Sequence, residues 1–161
     1  MSNLERFPST NPIIKTYLSS FTQFLTLEMM GEIFRFLNSY HHDHTVENVW
    51  IQNRGNMFLG GISYQELFKN PEYLDKLYKM TVMVARLNKP IFAFAQGGVR
   101  NVGAYVLSMA SIALTDYSAT LRIDEVSKGF IPVAGGSHRL SRLPVNVGYY
   151  LALTGKRLTS D

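Results

Sequence analysis

The sequence predicts an α/β domain built of packed layers, and two observations support this. Segments with the composition of strands alternate with segments whose apolar residues recur at helical spacing. One segment, Pro90–Ala95, is a continuous apolar run of strand length, which is typical of a strand buried on both faces. The chain has 161 residues, of which 46% are hydrophobic and 17% charged. This length fits one domain, and the composition excludes wholesale disorder.

The first half of the chain is predicted to contain two strands and two helices. Residues 12–18 are rich in β-branched and aromatic side chains and indicate a strand. Thr26 precedes apolar residues at helical spacing, which predicts a helix from there to about Ser39. Val46–Asn53 alternates like a second strand. Pro71 is expected in the first turn of another long helix.

Five more elements are predicted in the second half, and each follows from apolar patterning between glycines. They are a buried helix over Gly103–Ala110, strands over Ser111–Thr115 and Ala119–Ile123, a helix from Gly135-Gly136 to Leu143, and a helix over Gly148–Leu153. Thr159 or Ser160 resembles the N-cap of a further helix. We therefore expect one incomplete domain over residues 1–161, continued elsewhere or completed by a partner.

Composition excludes several classes of chemistry. The chain has no cysteine, which removes disulfides, thiolate nucleophiles, zinc fingers and iron–sulfur clusters. Sixteen basic and twelve acidic residues give a net charge of +4, compatible with phosphate-bearing ligands or RNA. No apolar run approaches the ~18 residues that cross a membrane, and no targeting signal is visible. His41, His42 and His44 indicate a polar helix end, so no metal site is predicted.

Glycines follow two of the predicted strands, at Gly60-Gly61 and from Gly97-Gly98 to Gly103. Glycine allows backbone N–H groups to approach a ligand closely. Two such groups at neighbouring strand ends would form an oxyanion hole, which stabilises a polarised carbonyl group. Taken alone this pattern is a weak indication, because glycines after strands usually form ordinary turns.

The order of three segments gives a resemblance. Met57–Gly61, then Lys89–Gly97, then Asp124–Leu140 together resemble the crotonase (enoyl-CoA hydratase/isomerase) superfamily. Gly148–Leu158 is most similar to the 3-hydroxyisobutyryl-CoA hydrolase branch. The resemblance implies a crotonase-like spiral of β-β-α units that lacks the C-terminal helices of the family.

The resemblance also implies a site for an acyl-CoA thioester. The backbone N–H groups of Gly61 and Val102 would form the oxyanion hole. Glu125 matches the catalytic glutamate of the family and would position or activate water. The substrate would also contact Gly60 and Val133. Coenzyme A enters only as part of the substrate, and no separate cofactor is implied.

Several residues depart from the family pattern. Ile62 replaces an aspartate, and Tyr105 replaces the first glutamate of the hydratases, which argues against water addition to an enoyl thioester. Val133 replaces an aspartate of the hydrolase branch. Loss of one such carboxylate typically lowers the rate of the catalysed reaction by ~10²–10⁴-fold. The alternative for Glu125 itself is a solvated loop carboxylate without a catalytic role.

Two functions therefore remain open. The first is hydrolysis of a short branched 3-hydroxyacyl-CoA of valine catabolism, with activity impaired by the lost carboxylates. The second is a non-catalytic subunit, or pseudoenzyme, within a large assembly such as the mitochondrial small ribosomal subunit, with RNA as a partner only in that case. By resemblance, we expect a mitochondrial protein that forms a homo-oligomer or joins a larger assembly. A gene fragment without independent function is the third alternative.

Overall fold

The structure, a computed structural model, describes residues 4–6, 13–18, 24–53 and 55–159. The strands are β1 (Leu4–Arg6), β2 (Ile13–Leu18), β3 (Phe24–Leu25), β4 (Asn48–Gln52), β5 (Met57–Phe58), β6 (Gly61–Ile62), β7 (Ile91–Ala95), β8 (Gly98–Arg100), β9 (Ile112–Thr115), β10 (Thr120–Arg122) and β11 (Arg157–Thr159). The helices are α1 (Leu27–His42), α2 (Tyr64–Lys69), α3 (Tyr73–Arg86), α4 (Val102–Met109), α5 (Gly136–Leu140) and α6 (Val145–Thr154). The predicted α/β class is confirmed.

Most of the strands form two larger sheets, and from β4 to β10 the chain alternates between them. One sheet has the order β1-β2-β4-β7-β9, and the other has the order β11-β10-β8-β5. Within each sheet the consecutive core strands are parallel, and only the β1–β2 and β10–β11 pairs are antiparallel among the described residues. Each of the pairs β4/β5, β7/β8 and β9/β10 gives one strand to each sheet. This repeated step is the predicted spiral of β-β-α units.

The first helix begins where the sequence predicts. The side-chain oxygen of Thr26 accepts a hydrogen bond from the backbone N–H of Met29 and caps the N-terminus of α1. The helix continues to His42, three residues further than expected, and its face buries Met30 and Leu37. The strands expected over residues 12–18 and 46–53 are also present, as β2 and β4.

Pro71 was predicted in the first turn of a long helix, but it lies before the first residue of α3. The backbone N–H of Tyr73 donates to the carbonyl of Asn70 at 3.0 Å, so Pro71 lies in a tight turn and the helix begins after Glu72. This turn separates α3 from α2, a helix that the sequence analysis missed. α2 is short and buries no residue, so it lacks a marked apolar face.

Three predictions on the second half need correction. β7 is buried on one face only, because Ile91, Ala93 and Ala95 are buried whereas Phe92 and Phe94 are half-exposed. α5 ends at Leu140 rather than at Leu143, and a turn over residues 141–144 follows it. α6 begins at Val145, three residues before the predicted start at Gly148.

The chain end also differs from expectation. Thr159 lies in β11 opposite Thr120 rather than at the start of a helix, and Ser160 lies outside the described residues. The strand β8 was not predicted, because it has only three residues and begins at Gly98, the second residue of a glycine pair. Among the described residues, no helix is both long and apolar enough to cross a membrane.

Candidate active site

The two glycine-containing junctions lie next to each other. β6 begins at Gly61 and pairs with β3, and Gly60 is buried just before it. A Cβ atom placed on Gly61 would lie 3.7 Å from Asn101 Nδ2 and 3.9 Å from Arg100 Cβ. The fold therefore brings Gly61 against the β8–α4 junction, where Val102 begins the helix.

Asn101 holds this junction in an unusual backbone conformation. Its φ is 43° and its ψ is −106°, which is costly for a residue with a side chain. Its side chain compensates, because Nδ2 donates to Asp124 Oδ1 at 2.8 Å and Oδ1 accepts from the Asp124 N–H at 3.0 Å. Its own N–H donates to the Arg122 carbonyl. These bonds fix the start of α4 beside the segment that precedes Glu125.

Val102 is the first residue of α4 and is fully buried. The first N–H groups of a helix have no partner within it and form the positive end of the helix dipole. The next residue must be glycine, since a Cβ on Gly103 would lie 2.7 Å from the Phe58 carbonyl oxygen and 2.9 Å from that of Leu59. The N-terminus of α4 thus packs closely on the β5–β6 junction.

Glu125 is fully buried, so the alternative of a solvated loop carboxylate is wrong. Its Oε1 accepts a hydrogen bond from the Tyr105 hydroxyl at 2.7 Å. Its Oε2 is buried and has no hydrogen-bond partner among the described residues. Burial raises the pKa of the Glu125 carboxyl from 4.5 to about 7, against the opposing effect of the Tyr105 hydrogen bond. This carboxyl group therefore titrates near neutral pH.

Tyr105 occupies the interior position that the resemblance assigned to a second carboxylate. It is fully buried, and its ring lies directly on the backbone of α5. A Cβ on Gly136 would lie 2.6 Å from the Tyr105 hydroxyl oxygen, so only glycine fits there. Burial, together with the charge of Glu125, raises the pKa of Tyr105. The phenol consequently stays protonated and donates to Glu125.

Tyr64 is a residue of this region that the sequence analysis missed. It begins α2, three residues after Gly61, and its ring packs on Phe130 with centroids 5.4 Å apart. Its hydroxyl is buried and interacts with the Asn101 side chain. Nothing in the spacing of the sequence indicates that this tyrosine points inward.

Val133 lies further along the chain, in the turn that leads into α5. It is partly buried against the hydrophobic core, and its carbonyl accepts a hydrogen bond from the Gly136 N–H at 2.8 Å. Its side chain offers no acid or base. In the described part of the chain, no three His, Asp or Glu side chains are grouped so that they could hold a metal ion.

Comparison with known proteins places these features in a family. Residues 21–161 match the family model described as enoyl-CoA hydratase/isomerase. The small ribosomal subunit protein mS47 of Arabidopsis thaliana is 29% identical over 143 residues, which cover 83% of this chain and 35% of that protein. The mitochondrial 3-hydroxyisobutyryl-CoA hydrolase of Homo sapiens is 28% identical over 147 residues, covering 86% of this chain and 38% of the hydrolase. The chain thus spans little more than a third of the length of these relatives.

Solved structures agree on the fold. An enoyl-CoA hydratase from Bacillus anthracis superposes with a TM-score of 0.89 at 23% identity, over 99% of this chain and 65% of that one. DspI of Pseudomonas aeruginosa has the same TM-score at 12% identity, over 99% of this chain and 68% of its own. The crotonase-like spiral predicted from three short segments is confirmed. The chain belongs to the enoyl-CoA hydratase/isomerase family.

Proposed function

We propose that this chain binds an acyl-CoA thioester and hydrolyses it slowly. Hydrolysis of such a thioester is the reaction named for its 3-hydroxyisobutyryl-CoA hydrolase relatives. The observation that carries the proposal is the state of Glu125, which is buried, ionises near neutral pH and has an unpartnered oxygen. A buried carboxyl group of this kind lowers the stability of the fold when it ionises, and such groups cluster at functional sites.

The proposed reaction uses backbone groups to polarise the substrate. The N–H groups of Gly61 and Val102 donate to the thioester carbonyl oxygen, with Gly60 beside it and Val133 against the acyl chain. Glu125, as the carboxylate, takes a proton from a water molecule whose oxygen attacks the carbonyl carbon. The carbon–sulfur bond then breaks, and the sulfur of coenzyme A leaves with the proton that Glu125 accepted.

Tyr105 has two consequences for the chemistry of this site. Its hydroxyl holds Glu125 in place through the 2.7 Å hydrogen bond. It also supplies no second carboxylate, and water addition to an enoyl thioester is accordingly not proposed. For hydrolysis the missing carboxylate is at Val133, so we expect a rate about 10²- to 10⁴-fold below that of an enzyme with two carboxylates.

Release of coenzyme A from 3-hydroxyisobutyryl-CoA tests the proposal. A thiol reagent reports the product without background from the protein, because the chain has no cysteine. Glu125→Gln should abolish release. Glu72→Gln, which changes an exposed carboxylate paired with Lys76, is the matched control and should leave it unchanged. Absence of both release and calorimetric binding of coenzyme A in the folded protein would remove the proposal.

A second candidate function, that of a non-catalytic subunit of a large mitochondrial assembly, is favoured by a surface feature. A groove of about 400 Å³ lies between the 126–132 segment and α6, and apolar side chains dominate its lining. Ile131 and Leu153 are 78% and 71% exposed there. Residues 126–159 contain no acidic side chain, and their cations are Lys128, Arg139, Arg142, Lys156 and Arg157. An apolar groove in a segment whose charged residues are all basic suits a larger partner, which carries RNA in the ribosomal case.

The second candidate predicts salt-sensitive co-purification with a ribonucleoprotein particle from mitochondria. Arg142→Glu combined with Lys156→Glu should weaken this association. Lys69→Glu, an exposed charge reversal on α2, serves as the control and should not. A protein that migrates only as a small oligomer and releases coenzyme A contradicts this candidate and supports the first.

A further inference from the structure

Two hydrogen bonds join Asn101 to Asp124, although 23 residues separate them in sequence. Asn101 Nδ2 donates to Asp124 Oδ1 at 2.8 Å, and the backbone N–H of Asp124 donates to Asn101 Oδ1 at 3.0 Å. Asn101 is fully buried. Val102 directly follows Asn101, and Glu125 directly follows Asp124. The two bonds therefore link the proposed oxyanion-hole donor to the proposed base.

The backbone of Asn101 is held in a costly conformation at this point. A residue with a side chain at a φ of 43° and a ψ of −106° carries strain of order 1–3 kcal/mol, and such strain clusters at functional sites. Glycine would adopt the conformation at lower cost, whereas asparagine adds the side chain that makes both bonds to Asp124. On its other side the start of α4 packs against the Phe58 and Leu59 carbonyls at Gly103. Close contacts thus hold Val102 from two directions.

The same pair brings a negative charge next to Glu125. Burial is the main reason that the pKa of Glu125 is raised to about 7, and the hydrogen bond from Tyr105 of α4 opposes this rise. The charge of Asp124 raises the pKa of Glu125 further. Tyr64 of α2 senses the charges of both carboxylates, and burial raises its pKa as well, so both tyrosines stay protonated. Asp124 consequently affects Glu125 in two separable ways, through a hydrogen bond and through a charge.

We infer that Asn101 and Asp124 are positioning residues, whose two hydrogen bonds hold the backbone of Val102 in a fixed relation to the backbone of Glu125. The inference rests on the proposed function, in which the Val102 N–H polarises the thioester and Glu125 activates water. Neither residue of the pair touches the substrate in this role. Fixed geometry matters because a displacement of about 1 Å at a reacting group can lower a rate about 10²-fold.

Hydrolysis of 3-hydroxyisobutyryl-CoA by matched variants separates the hydrogen bonds from the charge. Asp124→Asn keeps an oxygen that accepts from Asn101 and removes the charge, whereas Asp124→Ala removes both. Asn101→Gly removes both hydrogen bonds, keeps the charge and tolerates the positive φ. The control is Asn53→Ala, because Asn53 is also buried and bonds the Gln96 backbone through both polar atoms of its side chain, at 3.0 and 2.9 Å. Among the described residues, no hydrogen bond joins the Asn53–Gln96 pair to the candidate site.

We expect the kcat of folded Asn101→Gly to fall about 10- to 100-fold and that of Asp124→Ala about tenfold. KM should change little, because an oxyanion-hole donor contributes mainly in the transition state. Asp124→Asn should retain most of its kcat. The midpoint of the pH profile of kcat/KM, near pH 7 in the wild type, should move downward in both Asp124 variants and stay in place in Asn101→Gly. Asn53→Ala should lose stability in urea with kcat and midpoint unchanged.

Two results would overturn the inference while the proposed function stands. In the first, Asn101→Gly and Asp124→Ala are less stable but keep the wild-type kcat, so the pair is only structural. In the second, Asp124→Asn loses as much kcat as Asp124→Ala, so the charge acts and the hydrogen bond does not. The two variants of half-buried Asp124 decide the question if Asn101→Gly does not fold. If the wild type neither releases nor binds coenzyme A, the proposed function fails and the positioning role fails with it.

Discussion

Replacing Glu125 by glutamine tests the buried carboxyl group through folding stability, independently of any activity. Below pH 4.5 the group is protonated in both the folded and the unfolded chain. Between pH 4.5 and about 7 the unfolded chain loses this proton while the folded chain keeps it, so stability falls as the pH rises. Above about pH 7 the group is ionised in both states, and this contribution stays constant.

The size of the effect follows from the raised pKa. A rise from 4.5 to about 7 corresponds to about 3 kcal/mol, at about 1.4 kcal/mol for each pH unit. Glutamine has nearly the same shape, does not ionise and still accepts a hydrogen bond from Tyr105. The free energy of unfolding of Glu125→Gln relative to that of the wild type should therefore increase by about 3 kcal/mol between pH 4.5 and pH 8.

Urea denaturation at pH 4.5, 5.5, 6.5 and 8 measures this difference. Titrations that the two proteins share cancel in the comparison. Glu72→Gln, whose carboxylate is exposed, should run parallel to the wild type throughout. A difference between wild type and Glu125→Gln that stays flat across this range would refute the claim that burial controls this carboxyl group.

Substitutions at three further positions probe the surroundings of Glu125. Tyr105→Phe removes the hydrogen bond that lowers the pKa of Glu125, so the midpoint of the pH–rate profile should move upward. Gly136→Ala places a methyl group against the Tyr105 ring and should cost about 1–3 kcal/mol of unfolding free energy in urea. Asn101→Ala should be more destabilising than Asn101→Gly when thermal midpoints are compared, because both lose the Asp124 bonds but only alanine is strained at a φ of 43°. Equal midpoints for the two Asn101 variants would contradict this account.

The elements that the sequence predicted well are those whose signals are local. The α1 helix has a capping threonine followed by apolar residues at a regular spacing, and β7 is an uninterrupted apolar run. Pro71 was misplaced because the hydrogen bond from Tyr73 to Asn70 forms a turn that proline also favours. Thr159 was misassigned because its partner, Thr120, lies 39 residues earlier in the chain and leaves no local signal.

Some residues of the candidate site could be predicted from the sequence, and others could not. Gly61, Val102 and Glu125 could be located from a resemblance that extends over most of the chain, and Gly61 does lie against the junction before Val102. Whether their N–H groups bind a carbonyl stays a prediction. Asn101 and Tyr64 could not be identified, because their importance comes from contacts that are distant in sequence. Asn101 is hydrogen-bonded to Asp124, 23 residues later, and Tyr64 of α2 interacts with Asn101 at the start of α4.

The close packing of Tyr105 on Gly136 makes the two positions dependent on each other. A side chain at 136 is less destabilising after the aromatic ring at 105 has become smaller, so one order of the two changes costs less stability than the other. A glutamate at 105 would in turn leave part of the ring's volume unfilled and bring a second negative charge towards Glu125. Recovering a two-carboxylate centre in this chain would thus require concerted change at several sites, and a single substitution would leave a less stable protein.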